Sequence, residues 1–163
     1  MKNRAAYFGV FTALALIFSY VEALIPFSFG IPVVKLGLAN LVIVIALYKI
    51  KFGEVLLLSV TRVVLAGFMF GNYFSIVYSL AGGLLSLAVM ALLKKDGGFG
   101  VLGVSMAGGV SHNVGQLAVA MLVVETFSVI YYLPVLLAAG AITGFFIGLL
   151  SGQILQRLKD IRF

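Results

Sequence analysis

Charged residues in this sequence are gathered into short clusters, and between clusters the chain runs apolar for stretches close to the roughly 20 residues that a helix needs to cross a bilayer. The clusters are Lys2 and Arg4, Lys49 and Lys51 with Glu54, Lys94-Lys95-Asp96, and Arg157 with Lys159, Asp160 and Arg162. Hydrophobic residues make up 63% of the 163 positions and charged residues 10%. A chain this short cannot hide that excess in one water-excluded core, because small domains leave much of their surface exposed. Lipid is the solvent that suits it. A soluble enzyme, a disulfide scaffold (the sequence has no cysteine) and a disordered tail are excluded on the same grounds.

The runs predict an all-α integral membrane protein: a single domain, residues 1–163, built as a six-transmembrane-helix bundle with spans at about 5–25, 33–48, 55–70, 73–93, 100–124 and 131–155. The first run is too long and too lightly flanked for a cleavable signal and is read as retained. Pro26, Gly30 and Pro32 interrupt the chain after it, so residues 26–32 are expected to form an apolar loop folded back on the protein. Gly71-Asn72 divides what would otherwise be a helix far longer than the hydrocarbon is thick. Pro134 is compatible with the first turn of the last span.

Basic residues fix an expected orientation. With six spans, both termini and the loops after spans two and four share one side. That side holds Lys2, Arg4, Lys49, Lys51, Lys94, Lys95, Arg157, Lys159 and Arg162, and the other holds Lys35. Such a bias predicts cytoplasmic termini in the cell membrane. The +6 charge therefore serves orientation, and nucleic acid is not an expected partner.

Polar residues inside the runs are the candidate site. Arg62 is the one basic residue well within a span, and insertion scales set its cost at about 2.5 kcal/mol or more near mid-membrane. It must face the interior, either paired with Glu22 or facing an anionic ligand. His112, Asn113 and Gln116 fall within about one turn of span five and are expected to line a cavity or to bond across helices. Lys35, Asn40 and Asn72 are placed toward the outer surface, in a recess capped by the Pro-rich loop, where the aromatic residues Phe27, Phe29 and Tyr73 also lie. One histidine, no cysteine and scattered acids give no metal set, and no cofactor is expected. Small residues recur at helical spacing at Ala5, Gly9 and Ala13 and again at Gly140, Gly144 and Gly148, allowing close helix packing within the monomer or against a partner.

Two stretches, Val33-Val34-Lys35-Leu36-Gly37-Leu38-Ala39-Asn40 and Gly108-Gly109-Val110-Ser111-His112-Asn113-Val114-Gly115-Gln116-Leu117, resemble the Gx transporter family. That family is often labelled heptaprenyl diphosphate synthase component I and is similar to the S components of energy-coupling factor (ECF) vitamin transporters. The resemblance implies a six-helix S component that binds a small anionic or aromatic micronutrient from outside. It also implies docking through Ala5, Gly9 and Ala13 on an ECF coupling subunit that carries two ATPase subunits. No Gly-rich phosphate loop ending in Gly-Lys-Ser/Thr is present, so ATP hydrolysis would be the partners' work. The other reading is a non-catalytic membrane anchor or accessory subunit for a prenyl-lipid (heptaprenyl diphosphate) or redox system. Independent prenyl elongation needs magnesium on clustered aspartates, and the two aspartates, Asp96 and Asp160, stand far apart.

Overall fold

The structure, a computed structural model, describes residues 2–24 and 37–159, with side chains from residue 5 onward. Among the described residues there are six α-helices: α1 Lys2–Leu24, α2 Leu38–Lys49, α3 Phe52–Phe70, α4 Tyr73–Asp96, α5 Val101–Val124 and α6 Leu133–Arg157. A short 3-10 helix, Phe127–Tyr132, leads into α6. The all-α expectation is borne out. Among the described residues, five helical stretches are long and apolar enough to cross a membrane. Large apolar side chains stand on the outside of the bundle, among them Val10, Ile17, Phe68 and Leu122. In water that surface would drive aggregation; in a bilayer it is solvated, and the chain is a multi-pass membrane protein.

Local chemistry sets the helix ends. Asn72 caps α4, its Oδ1 accepting the Ser75 N–H at 2.8 Å, as an N-cap side chain does. Glu54, in the first turn of α3, accepts the Lys51 backbone N–H at 3.2 Å. Gly37 and Gly97, at φ +68° and +76°, supply the left-handed turns before α2 and after α4. Pro134 sits in the first turn of α6, where its missing N–H costs no hydrogen bond.

The helix α2 differs from the apolar run that suggests it. Its 12 residues cover about 18 Å at 1.5 Å per residue, short of the bilayer core. The Pro-rich loop and the start of the expected second span, through residue 36, lie outside the described residues. From Leu41 to Leu47 every residue of α2 is buried. It is apolar all round because it is enclosed all round, packing against α1, α3 and α6.

The helices fall into two halves. α1, α2 and α3 pack on one another, α5 packs between α4 and α6, and the halves join through α3 with α4 and α2 with α6. At the end carrying the basic clusters, Lys94 Nζ donates to the Leu47 carbonyl at 2.5 Å and lies 5.1 Å from the Tyr48 ring centre. Lys49 Nζ donates to the carbonyl of Leu158. These bonds satisfy backbone acceptors that helix C-termini leave open and draw the ends of α2, α4 and α6 together.

Candidate functional site

Glycine brings the second half close enough to form a site. A Cβ on Gly109 would lie 2.2 Å from the Gly140 carbonyl oxygen, and one on Gly144 would lie 2.7 Å from the Met106 Cα. Gly148 faces Leu102 in the same way, so the glycine stripe of α6 is spent on α5 within the monomer. Gly82 and Gly115 bring α4 against the other side of α5, where a Cβ on Gly82 would meet the His112 carbonyl at 2.7 Å.

Beside this tight seam lies a polar chamber with about 30 Å³ of room for solvent. Its wall includes Asn40 from α2, Ser86 from α4, His112, Asn113 and Gln116 from α5, and Thr143 from α6. Asn113 Nδ2 donates to the Leu136 carbonyl at 2.7 Å, tying α5 to α6. Ser86 Oγ donates to the Gly108 carbonyl at 2.8 Å, tying α4 to α5. Thr143 Oγ1 turns back to the Ala139 carbonyl at 2.9 Å. Gln116 is 2% exposed. No phenylalanine or tyrosine is among the described residues that line the chamber.

Arg62 stands behind Asn40. It is 9% exposed, and its Nη2 lies 3.5 Å from Asn40 Oδ1. That is a long bond, and the buried Nε has no hydrogen-bond partner among the described residues. Glu22 acts on the guanidinium electrostatically, through space. The Glu22 carboxylate spends its own hydrogen bond on the Gly37 N–H, at 2.6 Å, at the head of α2. Glu22 and Arg62 thus make a loose arrangement through Gly37 and Asn40, joining the ends of α1 and α2 to the middle of α3.

Asn40, His112, Asn113 and Gln116 come together in the chamber, with Arg62 linked through Asn40. Asn72 is not part of the chamber wall, being engaged as the cap of α4. Lys35 lies outside the described residues. Ala5, Gly9 and Ala13 are exposed on α1, and a Cβ on Gly9 would meet nothing within 4 Å, so that stripe faces out of the bundle. Ser86 and Thr143 are lining residues that sequence reasoning passes over. Their signal is slight: Ser86 falls one turn after Gly82, and Thr143 beside Gly144, on helix faces already marked by glycine.

Fold and site together define a multi-pass helical membrane protein with a small hydrogen-bonded polar interior. The chain belongs to the heptaprenyl diphosphate synthase component I family, which it matches over residues 11–154. Comparison with curated proteins and with solved structures finds no match in either. The family match corrects the resemblance drawn above. The chain is assigned to the synthase-component family and not to the ECF S components or a Gx transporter family. The micronutrient-importer function falls with that assignment, and so do the ECF coupling subunit and its two ATPases as partners.

Proposed function

We propose that this chain is a non-catalytic membrane subunit of a heptaprenyl diphosphate synthase, seating a separate catalytic subunit at the bilayer surface. The family match over residues 11–154 carries the reading. Chemistry supports the division of labour. Elongation of a prenyl diphosphate needs a cluster of carboxylates to hold magnesium against the diphosphate. The sequence has five acidic residues, and its two aspartates belong to different segments. The product's tail, seven isoprene units long, favours lipid by about 0.8 kcal/mol for each buried methylene. A synthase held against the membrane passes that tail directly into its preferred solvent.

In this reading the bundle crosses the membrane six times. Both termini lie in the cytoplasm with the basic clusters. Lys49 and Lys94 are engaged with backbone carbonyls, whereas Lys51, Lys95, Arg157 and Lys159 are exposed there and form the face offered to the catalytic subunit. Asn40, Arg62, His112, Asn113 and Gln116 serve the interior, holding the helices in register.

Reconstitution tests the proposal. Vesicles carrying the full chain are mixed with the soluble prenyl diphosphate synthase of the same cell and floated on a density gradient. The synthase should float with the chain, and charge reversal at Lys51 and Lys95 together should release it. Failure to float, with elongation rate and product length unchanged by the chain, would overturn the assignment.

A further inference from the structure

We infer that the chamber between α2 and the α4–α6 half holds ordered water as a fixed part of the bundle. Its room for solvent, about 30 Å³, is more than a single water molecule needs.

The wall sets the chemistry. Gln116 is 2% exposed, lines the chamber, and makes no hydrogen bond among the described residues. It is therefore to the chamber it lines that its amide must look for partners. A buried amide left with neither donor nor acceptor satisfied is strongly disfavoured. Around it, Asn113 has committed its Nδ2 to Leu136, which leaves Oδ1 as an acceptor. The Ser86 and Thr143 hydroxyls have donated to carbonyls, which leaves their lone pairs. The occupant must therefore donate to several oxygens and also accept from the Gln116 amide. A metal cation cannot accept a hydrogen bond from the Gln116 amide, and the buried Arg62 just behind Asn40 repels it. A hydrocarbon tail answers none of these groups. Water answers all of them, and in doing so it bridges α2 to α4, α5 and α6.

Met90 provides the readout, because it lines the chamber and is 3% exposed. The full chain in nanodiscs is given a brief X-ray pulse, which makes hydroxyl radicals from water in place, and oxidation is mapped by mass spectrometry. Met90 should be oxidised despite its burial. In Gln116→Leu and in the isosteric Thr143→Val its labelling should fall by at least about threefold, as the polar wall that retains water is lost. Tyr131, exposed in the 3-10 helix, should label equally in all three proteins. Should Gln116→Leu fail to insert, Thr143→Val decides alone. Absence of Met90 oxidation in the parent chain, or equal oxidation in the parent and every folded variant, would overturn the inference.

Discussion

At Arg62 a guanidinium lies in the middle of an apolar helix with one long hydrogen bond, to Asn40, and an opposing charge on Glu22 that it meets only through space. Removing either charge leaves the other uncompensated in a medium of low dielectric, which is worse than removing both. Glu22→Gln and Arg62→Met should each lower stability, and the double variant should lose less than their sum. The expected coupling is about 0.5–3 kcal/mol, read as a double-mutant cycle from unfolding in mixed micelles. Strict additivity would show that the two residues act independently. The sequence shows that Arg62 must find a polar environment, since any charge at that depth must. It does not show that Asn40, 22 positions earlier, is the group it meets.

Among the helices, glycine decides where backbones touch. The same small-residue spacing occurs on α1 and on α6 with opposite results. Gly109 and Gly140 lie so close across α5 and α6 that a side chain on either must push the helices apart. Gly9 looks onto open space. Gly109→Val should therefore cost about 1–3 kcal/mol through overpacking, whereas Gly9→Ala should be neutral or stabilise by roughly 0.5–1 kcal/mol by relieving helix entropy. Thermal unfolding in mild detergent distinguishes them. Equal and small effects would mean that the seam between α5 and α6 yields readily to a side chain. The helix α2 makes the same lesson differently. As a sequence it is one more apolar run; as an element it is a short buried core around which longer helices stand.

Across the whole molecule, one end is basic and tied by lysines to helix termini, and the other carries exposed aromatic residues such as Tyr73, Phe127 and Tyr131. Aromatic rings favour the membrane interface and basic residues the cytoplasmic side. Because the chain has no cysteine, a single one introduced anywhere is a unique label. In intact cells a membrane-impermeant maleimide should modify Thr126→Cys readily and Lys95→Cys only after permeabilisation. The reverse pattern would invert the proposed orientation and move the exposed lysines away from a cytoplasmic catalytic subunit.

Run length, charge placement and helix-stopping residues are local properties, and they suffice for an all-helical, multi-pass membrane protein with a break at Gly71-Asn72, whereas the left-handed turn at Gly37 falls inside the expected second span. Which side of each helix faces inward is not local. In water, apolar residues mark the buried face, but here lipid and protein interior are both apolar, and the usual stripe carries little information. Polar and small residues are the remaining guides, and they are ambiguous until packing chooses among them. Tertiary structure alone turned the α6 glycines toward α5, left Gly9 of α1 outside, gathered Asn40, His112, Asn113 and Gln116 around one chamber with Ser86 and Thr143, and kept Asn72 out of it. Such convergence depends on helix separations of a few ångströms, a quantity set jointly by all the packed elements and written in no single stretch of the chain.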